Sequence, residues 1–133
     1  MQSGILNLIN KTMKLLLIIV MVVSANITLH AKEHILLESK TEIISQAIKE
    51  LERAMKSPEG ELYLMGQKFR IKGEYNFQLT IRDKGNVSSV FVVDQKNGDI
   101  PSQNRLKDAV FAFHLSFKMP KNKDYKFNYS FKF

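Results

Sequence analysis

The sequence predicts an α+β fold: a small antiparallel sheet of about three strands, with an N-terminal helix and one helix between the second and last strands. Periodicity in the 133 residues supports this class. Apolar residues recur at helical spacing in residues 41–56 and again from residue 105, and they alternate with polar residues in residues 75–81 and 125–133. No internal repeat interrupts this order, so we expect a single sheet.

The N-terminal segment predicts export. Lys11 and Lys14 are followed by the uninterrupted apolar run Leu15–Val23 and then by small residues. A basic start, a short apolar stretch and a small-residue exit are typical of a secretory signal peptide. We therefore predict a signal peptide over residues 1–31 and a mature protein in the periplasm.

The details of this segment leave alternatives. Cleavage after Ala31 is favoured over cleavage after Ala25, and Met13 is an alternative start to Met1. The alternative to cleavage is an anchor that keeps the chain on the inner membrane, facing the periplasm. A spanning helix needs about 20 apolar residues, and polar residues interrupt the run beyond Val23, which favours cleavage.

The charge is unevenly distributed along the chain. Two of the 20 basic residues and none of the 13 acidic ones lie in residues 1–31, so the predicted mature chain has a net charge of +5. Residues 32–61 have a net charge of −2 and residues 62–133 a net charge of +7. Because the chain has no cysteine, no disulfide can support the fold. The basic surface predicts an acidic protein segment, peptidoglycan or anionic headgroups as partner.

The clearest helix covers residues 41–56, where apolar residues form one stripe and charged residues occupy the opposite face. Thr41 is predicted as its N-cap, and Gly60 follows its end. The near-neutral polar face favours packing on the domain's own sheet over binding to a membrane. We assign residues 32–60 to this amphipathic part and residues 61–133 to the α+β domain. The stripe consists of Ile43, Ile44, Ala47, Ile48, Leu51 and Met55.

After the first helix the apolar residues change from helical spacing to alternation with polar residues, and this change predicts strands. Residues 75–81 alternate between apolar and polar side chains, which is typical of a half-buried strand. The turn sequence of residues 83–86 and the β-branched residues 87–93 then predict a hairpin. Residues 62–72 are expected to be strand-like, as a further strand or an irregular edge.

A second helix is predicted from Arg105 to Pro120. Apolar residues recur from Leu106 at i, i+3, i+4, i+7 and i+11. Ser102 is predicted as its cap, because it follows the loop of residues 97–101, and proline ends the helix.

Residues 125–133 alternate most regularly of all. Every second residue is aromatic, and the residues between are lysine, asparagine or serine. This pattern predicts a strand with one covered aromatic face and one polar face. Because aromatic and basic side chains then lie on opposite faces, and the chain is predicted to be exported, we expect no nucleic-acid partner.

Residues suited to catalysis are sparse. The chain has no cysteine, and its serines do not form a known nucleophile motif. His30 and His34 are four residues apart but lack a third ligand, and no carboxylate lies within a helical turn of His114. We therefore predict that the protein is not an enzyme and has no catalytic residue, metal or cofactor.

The order of these features resembles the C-terminal domain of the TonB and TolA energy-transduction proteins. The resemblance covers about 60 residues, from Gly73 to Phe133. It consists of the strand 77–81, the turn 83–87, the strand ending at 90–93, the helix 105–114, the Phe117-Lys118-Met119-Pro120 step and the closing Phe131-Lys132-Phe133.

This resemblance implies that a partner peptide adds as a strand at a sheet edge, where unpaired N–H and C=O groups are available. The predicted edge is Tyr125 to Phe133, where Lys126 and Lys132 favour an acidic segment. The alternative is an ordinary core strand whose lysines prevent aggregation. The predicted partner-binding residues are Tyr125, Lys126, Asn128, Ser130 and Lys132.

The sequence departs from these transducers in one respect. They combine a firm anchor with a long spacer, and neither is recognised before residues 41–56. We therefore predict a non-catalytic periplasmic protein-binding module of the cell envelope, and we carry over the fold and the binding role of these transducers but not energy transduction itself. Two alternatives stay open: a membrane-tethered accessory subunit of an envelope transport complex, and a small ligand-binding protein or hydrolase with a pocket between helix and sheet.

Overall fold

The computed structural model describes residues 34–133 and confirms the α+β class. The predicted signal peptide, residues 1–31, lies outside the described residues. Of the helices that are described, none is long and apolar enough to cross a membrane. The elements are α1 (Lys40–Ala54), α2 (Glu61–Lys68), β1 (Glu74–Arg82), β2 (Asn86–Lys96), α3 (Ile100–Phe111) and β3 (Asp124–Lys132).

The sheet has β1 at its centre, with the order β2-β1-β3 and antiparallel pairing on both sides. β1 and β2 form the predicted hairpin. In its turn, Gly85 has a φ of +78°, and a Cβ there would lie 2.7 Å from the carbonyl oxygen of Leu115. Glycine is therefore required both for the backbone conformation and for the close approach. β3 joins the other side of β1 after the chain has passed through α3.

The core lies between one face of the sheet and the helices, and all six elements contribute to one apolar cluster. Phe77 and Phe131, from adjacent strands, are both fully buried, and their ring centroids are 5.5 Å apart. Such aromatic pairs add about 0.5–1.5 kcal/mol beyond the burial of their area. The other large side chains that are almost completely buried are Tyr75, Ile43, Leu51, Leu62, Leu79, Ile81, Leu106 and Val110.

α1 packs its apolar stripe on this core, as its spacing predicts. Its N-cap is Ser39, without a side-chain hydrogen bond, so the prediction of Thr41 was wrong. Glu50 also lies on the buried side, with 8% of its surface exposed. Its Oε1 accepts the backbone N–H of Ser116 at 2.8 Å, which links α1 to the segment after α3. This bond compensates the cost of burying the carboxylate.

α2 replaces the strand-like segment predicted over residues 62–72, and that prediction was wrong. Its sequence is rich in helix formers, and its buried residues Leu62 and Gly66 are four apart, on one side of the helix. The ring of Phe133 occupies the space that a Cβ of Gly66 would need. An eight-residue helix gives too short a pattern for periodicity to identify.

α3 begins and ends earlier than predicted. Its N-cap is Asp99 and not Ser102: the Asp99 carboxylate accepts the Ser102 backbone N–H at 2.8 Å and the Ser102 hydroxyl at 3.0 Å. A capping carboxylate also interacts favourably with the helix dipole. The helix ends at Phe111 and does not continue to Pro120.

Residues 113–119 are extended instead of helical. Their backbone is fixed against the hairpin turn, because the N–H of Leu115 donates to the Gly85 carbonyl at 3.0 Å and the N–H of Met119 donates to the Asp83 carbonyl at 2.8 Å. Buried and exposed residues alternate strictly along the segment, which is the period of a strand. The buried ones are Phe113, Leu115, Phe117 and Met119.

Candidate partner-binding edge

β3 is an edge strand of the sheet. It pairs with β1 from Asp124 to Lys132 without a register shift, and no strand of the described residues pairs with its other side. One side of this nine-residue strand is therefore free of strand partners in the described part of the chain. Such an edge is a template for an additional strand.

The pairing with β1 shows which backbone groups point outward. The N–H of Phe133 donates to the carbonyl of Gly73 at 3.0 Å, and this pair continues the register in which Phe131 lies opposite Tyr75. Because bonded and non-bonded pairs alternate in an antiparallel ladder, the odd-numbered residues of β3 bond to β1. The even-numbered residues direct their N–H and C=O groups toward the free edge. The four of these that follow Asp124 are Lys126, Asn128, Ser130 and Lys132.

The structure brings these four predicted residues together and separates Tyr125 from them. We call Lys126, Asn128, Ser130 and Lys132 the β3 edge strip. Their side chains are all exposed, on the sheet face opposite the core, since alternate residues of a strand point to opposite faces. Tyr125 is partly buried against the core. It supports the strand and does not present its backbone to the edge.

Charges flank the strip at both ends. Arg82 and Asp124 form a two-pronged ion pair, with both N–O distances 3.1 Å. At the other end, Lys132 Nζ lies 3.8 Å from Glu74. Exposed pairs of this kind add about 0–1 kcal/mol. Lys126 is in neither of the ion pairs found among the described residues, so it gives the strip an uncompensated positive charge.

β2, at the other edge of the sheet, is less suited to receive a strand. Its register with β1 shifts twice, after Asn76 and after Thr80, so Val93 and Ser88 have no partner on β1. Bulges twist an edge and disturb its ladder, and natural sheets use them to discourage added strands. The sequence does not reveal this difference between the edges, because a bulge depends on how two strands match in length.

The aromatic face of β3 holds the strip in place. Phe127 and Phe131 are buried, and the ring of Tyr129 packs edge-to-face on Phe131 with centroids 4.8 Å apart. Burial raises the pKa of Tyr129, and the nearby Glu52 carboxylate of α1 raises it further. The packing of these rings fixes β3 in its paired position before a partner arrives, and preorganisation of this kind reduces the entropic cost of binding.

The described residues include two of the three histidines, His34 and His114. His114 lies in the extended segment, not in a helix, and His34 Nδ1 is 2.9 Å from the Ser116 carbonyl oxygen. The described residues contain no group of three side chains able to hold a metal. A shallow depression of about 690 Å³ follows the end of α1, and its lining includes Glu59 and Glu61.

Comparisons with known proteins gave no relatives: no family model, no curated protein and no solved structure matches this chain.

Proposed function

We propose that this chain is a non-catalytic periplasmic protein-binding module, to which a partner protein binds by adding an extended segment to the free side of β3. The observation that carries this proposal is the β3 edge strip, which combines an unbroken register with outward-facing backbone groups. Each backbone hydrogen bond contributes about 0.5–1.5 kcal/mol net. Four residues together therefore support a weak, reversible contact that partner side chains can make specific.

The charge of the strip favours an acidic partner segment. Lys126 carries an uncompensated charge, and Lys132 is largely exposed, with only a long contact to Glu74. An acidic side chain of an added strand would lie beside either lysine, because side chains of adjacent strands meet on the same face. Envelope proteins with extended acidic segments are the expected partners.

The resemblance to the TonB and TolA C-terminal domains agrees with this role. It implies three antiparallel strands with a helix between the second and last, and strand addition at an edge. The proposal takes over this fold and the binding role, and leaves energy transduction out.

The binding proposal can be tested by photo-cross-linking in the native host. A photoreactive amino acid replaces Lys126 in the full chain, and the same residue at Lys107, exposed on α3, is the control. We expect an adduct with an envelope protein from position 126 only.

A proline substitution makes this experiment specific for strand addition. Asn128→Pro removes an outward N–H, so the adduct should be lost, while Asn128→Thr retains the N–H and should retain the adduct. An adduct that survives Asn128→Pro, or that forms equally at Lys107, would contradict strand addition at β3.

The periplasmic location has its own test. We expect the chain in the periplasmic fraction with Lys32 as its first residue, determined by intact mass and N-terminal sequencing. An uncleaved chain in the membrane fraction would instead support the tethered subunit.

A further inference from the structure

A second exposed surface lies away from the β3 edge strip, where α2 ends and α3 begins. Phe69 follows α2 and is 39% exposed. The Lys68 Nζ atom is 5.3 Å from the centre of its ring, and the Arg105 guanidinium carbon is 4.2 Å from it. Two cations from different helices therefore converge on one aromatic ring at the surface.

Further basic and apolar side chains extend this cluster. Tyr75 links the segment after α2 to the start of α3. Its hydroxyl donates to the Lys72 carbonyl at 2.7 Å and accepts the Asp99 N–H at 3.4 Å. Lys72 therefore lies in a loop beside the start of α3, where Ile100 is the first residue. Leu64 and Lys68 share one face of α2, because they are four residues apart. We call Leu64, Lys68, Phe69, Lys72, Ile100 and Arg105 the Phe69 patch.

The positive charges of the Phe69 patch are not neutralised by the described residues. Its three basic side chains, Lys68, Lys72 and Arg105, are exposed, and none of them belongs to the ion pairs found in residues 34–133. Among the acidic side chains nearby, Asp99 is engaged in capping α3. Glu61 lies at the far end of α2, and Asp108, one turn after Arg105, makes no ion pair with it.

The apolar members distinguish between the possible anionic partners. Leu64 is 52% exposed and Ile100 is 57% exposed, which a purely electrostatic contact does not require. Stacking of a nucleic-acid base would use a free aromatic face, and Arg105 already lies over the Phe69 ring. Basic side chains around protruding apolar ones match a lipid surface, where cations meet headgroups and apolar groups enter the interface.

We propose that the Phe69 patch binds the surface of anionic phospholipid membranes, with Lys68, Lys72 and Arg105 on the headgroups and Leu64, Phe69 and Ile100 at the interface. This contact is independent of the apolar segment in residues 15–23. It is also independent of strand addition at β3, so either proposal can fail without the other.

The test uses the full chain with one added cysteine, since the natural chain has none. Gln67→Cys, exposed beside the patch, carries an environment-sensitive fluorophore, and Ser130→Cys in the β3 edge strip is the control position. Vesicles are either phosphatidylcholine alone or phosphatidylcholine with about 30% phosphatidylglycerol, a content chosen to give a strong negative surface potential. Because the label reports its own surroundings, vesicle binding through residues 15–23 alone does not produce the signal.

We expect a blue shift at position 67 with anionic vesicles only, reversed by high salt, and no shift at position 130. The double variant Lys68→Glu with Arg105→Glu should bind anionic vesicles at least 25-fold more weakly, because each basic residue contributes about fivefold to the affinity. Lys118→Glu with Lys121→Glu makes the same charge change outside the patch and should have a much smaller effect. Circular dichroism establishes that each variant is folded.

Three results would overturn the proposal. The first is an equal response to neutral vesicles, and the second is an equal response from position 130. The third is a response to a soluble polyanion such as heparin but not to anionic vesicles, which would assign the patch to a different kind of partner.

Discussion

Proline at two neighbouring positions of β3 tests the backbone directions on which the binding proposal depends. Proline has no N–H and fixes φ near −65°. At Asn128 the N–H faces the free edge, so proline removes no bond to β1. At Tyr129 the N–H faces β1, opposite Phe77, so proline removes a bond of the ladder and leaves a buried carbonyl without its donor.

The expected costs differ by several-fold. For Tyr129→Pro, an unsatisfied buried carbonyl costs about 1–3 kcal/mol. Loss of the edge-to-face contact with Phe131, whose centroid is 4.8 Å away, costs about 0.5–1.5 kcal/mol more. With the apolar area that becomes exposed, the total should be at least about 3 kcal/mol. For Asn128→Pro only the change of φ opposes folding, and we expect about 1 kcal/mol or less, since edge strands accept proline where the N–H faces solvent.

The measurement is urea unfolding followed by circular dichroism, with Tyr129→Ala as the variant that isolates the side-chain part of the Tyr129→Pro effect. Tyr129→Pro should be clearly less stable than Tyr129→Ala, and Asn128→Pro should remain close to the parent protein. If Asn128→Pro is the more damaging proline, the outward and inward residues have been assigned the wrong way round. The β3 edge strip would then have no free donors to offer.

Three further predictions follow from the packing. Glu50→Ala should lower the free energy of unfolding in urea by about 2–3 kcal/mol, because it removes a charge-assisted bond to the Ser116 N–H at 2.8 Å. Glu50→Gln keeps an acceptor and should lower it by about half as much. Equal losses in the two variants would contradict a role for this bond. Because the pKa of Tyr129 is raised in the folded protein, folding favours the neutral phenol. The stability that this preference contributes is present below the ordinary tyrosine pKa of about 10 and is lost as pH rises through the pKa of the folded state. Unfolding free energies measured on both sides of that pH should fall less for Tyr129→Phe, and an identical fall in both proteins would count against this effect. Gly66→Val should destabilise the protein by more than about 2 kcal/mol, because the Phe133 ring occupies the space that the valine side chain needs. A thermal midpoint close to that of the parent protein would contradict this, since it would show that the ring moves aside easily.

Features that depend on one buried face were predictable from the sequence. β1 and β3 were predicted nearly to their observed ends, because period-two alternation continues as long as a strand has one face on the core. The stripe of α1 was predicted for the same reason, at helical period. The common exposed face of Lys126, Asn128, Ser130 and Lys132 follows from the same alternation, while their role in binding stays a prediction.

Features that depend on tertiary partners were not predictable. Residues 113–119 fit two periods at once, because Phe113 and Phe117 are spaced for a helix while every second residue is apolar. Hydrogen bonds to Gly85 and Asp83 in the hairpin turn stabilise the extended form. Likewise α2 depends on the ring of Phe133 beside Gly66, a contact between residues distant in sequence.

The central position of β1 also affects the order of events during synthesis. Its ladder with β3 begins between Arg82 and Asp124, which are 42 positions apart, and continues to residues still further apart. Until the ribosome has added residues 124–132, β1 lacks one neighbour and the core lacks the complete pair of buried β3 rings, Phe127 and Phe131. Before β3 is complete, a nascent chain can therefore form at most an open hairpin beside α1, α2 and α3, since non-local pairing comes late in folding. If the chain is exported as proposed, it would reach the translocation machinery in the loosely structured state that passage through a membrane pore requires.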